Sequence, residues 1–115
     1  GLLRRSYCNW SSPLVVVNEK DGGVRLTCKY RKLNEATIIP VLPIPTIGEL
    51  LDELGDAKVF TCLGILSGYF NISIHSYTTP PTAVCTQTGL NQWLVMPIGC
   101  GGSPGWFQSI MARVL

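Results

Sequence analysis

The chain has 115 residues, a formal net charge of +2, 14% charged residues and 46% hydrophobic residues. This length accommodates at most one domain with a modest core, and so small a net charge does not by itself indicate a nucleic-acid partner. The five cysteines show no C-x-x-C spacing, which favours buried free thiols in a reducing, intracellular compartment over a zinc site. Neither a signal peptide nor a membrane span is expected.

Charge is distributed unevenly along the chain. Residues 59–112 contain no Asp, Glu, Lys or Arg, and His75 is their only titratable nitrogen. A soluble surface normally mixes charges of both signs. This part of the chain is therefore expected either to be covered by something else or to have changed without selection on its charge.

The first predicted element is a β-hairpin at about residues 14–30. Residues 14–17 are all Leu or Val, residues 20–23 read Lys-Asp-Gly-Gly, and the return strand alternates apolar and polar side chains. Glycine supplies the positive φ that such turns need. One face of the return strand is expected in the core, whereas the other is cationic.

A proline-containing connector and a helix follow. Pro40, Pro43 and Pro45 predict an extended segment, because proline donates no backbone hydrogen bond. Thr46 and Glu49 have the spacing of a capping box, and apolar residues then recur at helical spacing up to Gly55. The sequence predicts a helix at about 46–54 that packs on the core.

A nearly unbroken apolar run at about residues 58–65 predicts a buried central strand. A turn is expected at Ser67 and Gly68, and a short strand over residues 71–75. A second hairpin is predicted at about 82–96, with its turn at residues 89–91. Ser103 as N-cap and Pro104 in the first position predict a helix from about residue 104.

Several ordered segments resemble reverse transcriptases of Ty3/gypsy-type retroelements. Residues 58–72 resemble F-S-K-L-D-L-K-S-G-Y-H-Q-I, and residues 20–34 resemble K-K-D-G-S-W-R-x-C-V-D-Y-R-x-L-N. Residues 93–99 resemble W-L-V-M-P-F-G, and the last predicted helix resembles A-P-A-T-F-Q-R-L-M-N-x-V-L. Any one segment is a weak signal, but together they cover essentially the whole chain in order.

The resemblance implies an α+β fold, namely the right-hand polymerase architecture, truncated after the first half of the palm. It places a fingers-like part at about 1–57 and a palm/fingers-like part at about 58–115 of one partial reverse transcriptase domain. It also implies a triphosphate clamp and a tyrosine that abuts the sugar and excludes ribonucleotides. The implied nucleotide-binding residues are Lys20, Arg25, Ile65, Tyr69, Ile98 and Gly99, and the implied template or primer contacts are Pro104 and Gln108.

Members of the family that these segments resemble are RNA-directed DNA polymerases, which use two Mg²⁺ ions held by three Asp residues. Gly64 stands where the family has the first catalytic Asp, and the Y-x-D-D segment that carries the other two is absent from these 115 residues. No metal ligand and no bound cofactor are therefore expected in this chain. The resemblance implies a reverse transcriptase fragment that is catalytically inactive.

Two alternatives stay open. The chain could be a binding module that keeps the fold to hold nucleic acid or a polymerase partner, although residues 59–112 lack the cations for this. It could instead be one piece of a longer or split active polymerase. Template–primer and deoxynucleotides are the partners of the intact family. For this chain we expect weak nucleic-acid binding at most, no membrane association, and self-association through an exposed palm edge.

Overall fold

A computed structural model describes residues 1–115 and contains one mixed five-stranded sheet with three α-helices. The strands lie in the order β1-β5-β4-β2-β3; β2 and β4 are parallel, and the other neighbours are antiparallel. None of the helices is long and apolar enough to cross a membrane. The elements are β1 (Leu3–Arg5), β2 (Ser12–Asn18), β3 (Val24–Cys28), α1 (Arg31–Ala36), α2 (Ile47–Leu54), β4 (Val84–Thr86), β5 (Gly89–Trp93) and α3 (Ser103–Val114), with 3₁₀ turns at Gly68–Asn71 and Pro80–Thr82.

The first hairpin is confirmed as the pair β2 and β3. Leu14 pairs with Cys28 at its base, and Asn18 pairs with Val24 beside the loop. Gly22 has a φ of +86°, as the turn requires, and the Gly23 N–H donates to Asp21 Oδ1 at 3.0 Å. The loop conformation therefore follows from the residues that predicted it.

The core lies where β3 meets the second hairpin, and its centre is formed by Cys28, Tyr30, Val84 and Trp93. The Tyr30 hydroxyl donates to the Thr82 carbonyl oxygen at 2.7 Å, and the backbone N–H of Trp93 donates to Thr82 Oγ1 at 3.0 Å. Burial raises the pKa of the Tyr30 phenol and of the Cys28 thiol above their ordinary values. The core is thus apolar with a few hydrogen-bonded polar groups, whereas the indole Nε1 of Trp93 is buried without a partner.

The second hairpin is confirmed, but its predicted turn is wrong. The turn is formed by residues 87 and 88, and Gly89 already pairs with Thr86 as the first residue of β5. Gly89 has a φ of +120°, and the Thr86 hydroxyl donates to its carbonyl oxygen at 2.9 Å. Residues 87 and 88 have no positive φ, so Gly89 alone supplies the positive φ at this turn.

Helix α3 is confirmed, although its first turn is shifted by one residue. Gly102 is the N-cap, and Ser103 is instead the first helical residue, with its hydroxyl donating to the Pro97 carbonyl oxygen at 3.1 Å. Residues 71–75 do not form the predicted strand, because Gly68–Asn71 is a 3₁₀ turn and only Ser73 bridges to Val95. Helix α1 was not predicted.

Helix α2 is confirmed with its capping box, but the prediction that it packs on the core is wrong. The Thr46 N–H donates to Glu49 Oε2 at 2.6 Å, and the Glu49 N–H donates to Thr46 Oγ1 at 3.3 Å. The Thr46 hydroxyl also donates to Glu49 Oε2, at 2.9 Å. The backbone N–H of Thr46, as the larger cause, and this hydroxyl lower the pKa of the Glu49 carboxyl. The helix has no buried residue, and its apolar side chains, such as Leu51 at 62% exposure, face outward.

The predicted central strand at residues 58–65 is also wrong. These residues form no helix or strand, and all of them are exposed; Val59 is 87% and Leu63 is 70% accessible. A strand needs a neighbour to satisfy its backbone groups, and no other segment of the chain lies alongside these residues as a ladder partner. The segment is apolar, as the sequence shows, but the prediction that it is buried is wrong.

Residues 38–65, here named the exposed arm, account for the extended shape. Only Leu42 and Pro45 within it are partly buried. The radius of gyration is 16.6 Å, against about 13 Å expected for a compact domain of this length. The base of the arm contacts the start of α3, where a Cβ on Gly105 would lie 3.0 Å from Leu42 Cβ.

Candidate nucleotide-binding site

A cavity of about 770 Å³ lies between the first hairpin, the turn before Tyr69 and helix α3. It brings together four of the six predicted nucleotide-binding residues, although they are up to 73 positions apart in the sequence (25 to 98). Most of the wall is apolar, and the ionisable side chains are at the hairpin end. The lining residues are Glu19, Val24, Arg25, Leu26, Ile65, Leu66, Ser67, Gly68, Tyr69, Phe70, Ile98 and Phe107.

Arg25 lies on β3 and supplies the cation of this cavity. Its guanidinium forms an ion pair with the carboxylate of Glu19, which is the only salt bridge in the chain. The Arg25 side chain is 59% exposed and that of Glu19 is 33% exposed. Arg25 therefore faces the cavity mouth as a charged group that already has an acidic partner.

Lys20 does not line the large cavity. It lies in the hairpin loop and lines an adjoining shallow cavity of about 470 Å³, whose wall also includes Glu19, Asp21 and Arg25. The two predicted clamp residues thus belong to neighbouring depressions that meet at Arg25.

The turn before Tyr69 is held in an unusual conformation. Ser67 is the only non-glycine residue with positive φ, at φ 48° and ψ 49°. The Asn71 side chain donates to the carbonyl oxygens of Leu66 and Ser67 at 3.0 and 3.2 Å. The Ser67 carbonyl oxygen also accepts from the Phe70 N–H at 2.9 Å, so the Asn71 side chain adds to a backbone bond and helps to hold the turn before Tyr69.

Tyr69 is partly buried and packs on α3. Its ring centroid lies 5.1 Å from that of Phe107, with the planes tilted by 59°. Gly68 permits this approach, since a Cβ there would lie 2.9 Å from Phe107 Cζ. The two rings form an apolar part of the wall of the cavity that Arg25 also lines.

Ile98 lines the cavity, whereas its neighbour Gly99 does not. Gly99 has a φ of +113°, and a Cβ on it would overlap the carbonyl oxygen of Cys28. The Cys28 N–H also donates to the Ile98 carbonyl oxygen at 3.1 Å. The geometry therefore gives Gly99 a packing role against β3, and any contact with a nucleotide stays a prediction.

Gly64 lies near the C-terminal end of the exposed arm, next to Ile65 of the cavity wall. A Cβ on it would meet no heavy atom within 4 Å, and its φ is not positive, so neither space nor backbone conformation demands glycine here. Among the lining residues Glu19 alone carries a carboxylate, and Arg25 engages it. No group of three His, Cys, Asp or Glu side chains lies close enough for a metal, so these residues do not fit the Mg²⁺ that the family generally uses.

Pro104 and Gln108 lie one turn apart on the same face of α3. Pro104 is exposed and Gln108 is partly buried; neither lines the large cavity. A separate apolar cavity of about 460 Å³ lies between α1 and the start of α3, with Trp10 and Trp106 in its wall. It contains none of the predicted nucleotide-binding residues.

Two residues of the site were missed in the sequence. Glu19 precedes the recognised loop motif, and the hairpin register places it beside the start of β3, within reach of Arg25. A cross-strand count from the glycine turn would have found it. Phe107 was counted as an apolar helix position, and only the three-dimensional contact with Tyr69 shows its place in the cavity.

Comparison with known proteins shows the family and the fold of the chain. A family model described as reverse transcriptase (RNA-dependent DNA polymerase) matches residues 17–115. The whole chain aligns with the retrovirus-related Pol polyprotein from transposon 297 of Drosophila melanogaster at 35% identity, covering 11% of that protein. It aligns with the Pol polyprotein from transposon gypsy of the same organism at 33% identity, covering 12%. The chain thus spans about a tenth of the length of the curated relatives that it matches.

Solved structures show the same fold. The prototype foamy virus protease–reverse transcriptase (CSH mutant) superposes on the whole chain with a TM-score of 0.88 at 23% identity, and the match covers 16% of that chain. A foamy viral protease–reverse transcriptase in complex with double-stranded DNA superposes with a TM-score of 0.81 at 19% identity, covering 20% of it. The chain belongs to the reverse transcriptase family, and it corresponds to part of the reverse transcriptase of a gypsy-like retroelement.

Proposed function

We propose that this chain forms the nucleotide-facing part of a retroelement reverse transcriptase, and that with Gly64 it does not catalyse DNA synthesis. The observation that carries the proposal is the cavity of about 770 Å³ that gathers Arg25, Ile65, Tyr69 and Ile98. Sequence motifs alone also point to these four residues, although they lie in three separate segments of the chain.

The polarity of the cavity suits a nucleoside triphosphate. Arg25 at the mouth offers a planar group with several donors, which matches phosphate oxygens. The Tyr69–Phe107 pair and Ile98 offer an apolar wall for the sugar and base. In this arrangement Arg25 binds the triphosphate, Tyr69 contacts the sugar and Ile98 lies beneath the nucleotide.

The proposed inactivity rests on missing carboxylates. Two divalent ions about 4 Å apart repel each other as four unit-charge pairs, or roughly 16 kcal/mol at an effective dielectric of 20. Neutral residues surround Gly64, and the one carboxylate of the cavity is engaged by Arg25. Nothing in the site offsets that repulsion, so the chain as it stands is expected not to place the two ions.

Primer extension on a homopolymer template tests the proposal. Four forms are compared: the chain itself, Gly64→Ala, Gly64→Asp, and Gly64→Asp extended through a Y-x-D-D segment and the rest of a related palm. Because the space around Gly64 is open, both single substitutions are expected to fold, and Gly64→Ala is the matched control. We expect incorporation only in the extended form. Incorporation above background by the chain itself or by Gly64→Asp alone would overturn the proposed inactivity.

Weak binding of nucleic acid is a second candidate function, favoured by one observation. Lys29, Arg31 and Lys32 are exposed at the start of α1, and none of them has an acidic partner within salt-bridge distance. A relative with the same fold is known in complex with double-stranded DNA. Phosphate contacts from such cations would give an affinity that falls with salt.

Fluorescence anisotropy of a labelled oligonucleotide at several salt concentrations tests this binding. Lys29→Ala with Lys32→Ala is expected to reduce the slope of log affinity against log salt by about two. Lys58→Ala, which removes one cation from the exposed arm, serves as the control with little change. An unchanged slope in the double variant would exclude Lys29 and Lys32 as phosphate contacts.

A further inference from the structure

The ion pair between Glu19 and Arg25 places a carboxylate where the proposed ligand would present a phosphate. Both anions seek the same guanidinium donors, and a carboxylate and a phosphate bind such a group in similar planar geometry. Glu19 lines the large cavity and also the adjoining shallow one, so it lies at the point where the two meet. A ligand that reaches Arg25 from either side meets Glu19.

The hairpin holds Glu19 in this place through backbone bonds. Its N–H donates to the Gly23 carbonyl oxygen at 2.8 Å, and its own carbonyl oxygen accepts from the Gly22 N–H at 3.1 Å. A Cβ on Gly23 would lie 3.3 Å from Glu19 Oε2, so the loop passes close beside the carboxylate. The side chain is therefore confined near Arg25, and a substitution of Glu19 leaves the bonds that fix the loop intact.

The charge of the loop is balanced as well. The ionisable residues of the shallow cavity are Glu19, Lys20, Asp21 and Arg25, whose formal charges sum to zero. A neutral loop exerts little attraction on a polyanion at a distance, because attraction of charged ligands follows the local potential. Both the contact and the longer-range field at this hairpin are thus weakened by acidic side chains.

We infer that Glu19 is an internal competitor for Arg25 that lowers the affinity of the hairpin for polyphosphates. The inference rests on the proposed nucleotide-binding function and adds a residue that sets its strength and selectivity. A ligand must displace Glu19 before it can accept hydrogen bonds from all the N–H donors of the guanidinium. A triphosphate carries enough charge to do so, whereas a monophosphate competes poorly with a carboxylate already in place.

Calorimetric titration of the 115-residue chain with inorganic tripolyphosphate and with a deoxynucleoside triphosphate tests the inference. Glu19→Gln is expected to bind both about three- to tenfold more tightly than the parent chain, since a partly exposed ion pair is modest in strength. Asp52→Asn, in the exposed helix α2, removes the same charge far from the loop and is the matched control, expected to change affinity less than twofold. Adding Arg25→Gln to Glu19→Gln should abolish the gain.

The outcomes separate this inference from the proposed function. If Glu19→Gln gains affinity for tripolyphosphate but not for the nucleotide, the competition is established and the nucleotide site fails. If the parent chain binds the nucleotide and Glu19→Gln, with an unchanged circular dichroism spectrum, gains nothing for either ligand, the nucleotide site stands and the inference is overturned. An equal gain in Asp52→Asn would also overturn it, because net charge would then account for the effect.

Discussion

The five-stranded sheet with the side chains packed on it, here named the sheet body, contrasts with the exposed arm at residues 38–65. The sheet body holds every buried residue of the chain, including Tyr30 at 1% and Trp93 at 0% exposure. The arm is just as apolar but has no fully buried residue; Ile38 and Val41 are at least 95% exposed. Apolar composition is therefore common to both regions, and only the availability of a partner separates them.

This contrast concerns energy as well as shape. Burying an apolar side chain contributes about 1.5–3 kcal/mol, whereas an exposed one contributes almost nothing to folding. The stability of the chain is thus expected to reside in the sheet body. Substitutions at matched positions in the two regions should reveal the difference, and the following predictions run from the largest expected effect to the smallest.

Trp93→Ala should have the largest effect. Its side chain is fully buried and stacks on Phe70, with centroids 5.3 Å apart and planes 17° from parallel. We expect a loss of about 3–5 kcal/mol in the free energy of unfolding, measured by urea titration with far-ultraviolet circular dichroism. Phe60→Ala in the arm, where the ring is 61% exposed, should change it by less than about 0.5 kcal/mol. A large loss in Phe60→Ala would show that the arm is packed in solution.

The variants Gly99→Ala and Gly64→Ala compare a tightly packed glycine with one that has open space around it. A methyl group at Gly99 would overlap the Cys28 carbonyl oxygen at a φ of +113°, and we expect a loss of about 2–4 kcal/mol. Gly64→Ala, which meets no atom within 4 Å, should be close to neutral. Thermal melting of the two variants side by side checks this, and similar melting temperatures would contradict the assigned packing of Gly99.

Tyr30→Phe should cost about 1–3 kcal/mol at neutral pH, because the Thr82 carbonyl oxygen loses the buried hydroxyl donor at 2.7 Å. The substitution should also change the response to alkali. Tyr7 is 89% exposed, so Tyr7→Phe is the control and should leave the free energy of unfolding unchanged at every pH.

The sign of the alkaline effect follows from burial, which raises the pKa of Tyr30 above its ordinary value of 10.0. A group whose pKa is raised in the folded state contributes fully to the free energy of unfolding below its unfolded pKa. That contribution is lost as the pH rises from the unfolded pKa through the folded pKa. The pKa of Cys100 is raised by burial to about 11 from 9.0, and that of Cys28 is raised too, so the parent chain should lose stability from about pH 9 upward. Above pH 10 the loss should be shallower in Tyr30→Phe, as read from melting temperatures between pH 8 and 11. Parallel curves would exclude titration of Tyr30.

The smallest expected effect on stability belongs to helix α2. Replacing Leu50, Leu51 and Leu54 with Gln should leave the free energy of unfolding within about 0.5 kcal/mol, since all three are at least 45% exposed. The same change should reduce self-association, because it removes an exposed apolar patch. Sedimentation velocity at several concentrations checks this. Oligomers that persist in the triple variant would place the contact on another surface, such as a sheet edge.

Local patterns in the sequence predicted local structure well. The glycine turn of the first hairpin and the Thr46–Glu49 capping box each depend on neighbours within a few residues, and the structure contains both. The expected alternation of burial along β3 is wrong at its first position, because Val24 is 59% exposed. The fold class followed from the resemblance of ordered motifs and is confirmed by solved structures of the same fold.

Patterns that depend on distant partners were less informative. The apolar run at 58–65 and the stripe of α2 indicate faces that could be buried, but a sequence does not state what covers them. Helix α1 is only six residues long and too short for a clear periodic signal. In the site, Arg25 and Tyr69 were chosen from motifs, whereas the pairing of Arg25 with Glu19 and the packing of Gly99 required coordinates.

The topology of the sheet has a consequence for synthesis on the ribosome. Leu3 pairs with Trp93, and Ser12 pairs with Val84. The strands β1 and β2 therefore lack these partners until residues translated much later have been added. At about 5–20 residues per second, the interval between those partners is roughly 5–20 s. During it the β2–β3 hairpin can form alone, but β1 and the core around Trp93 cannot. The nascent chain therefore exposes its apolar segments for seconds, and chaperones that bind such segments co-translationally should decide how much of it reaches the folded state.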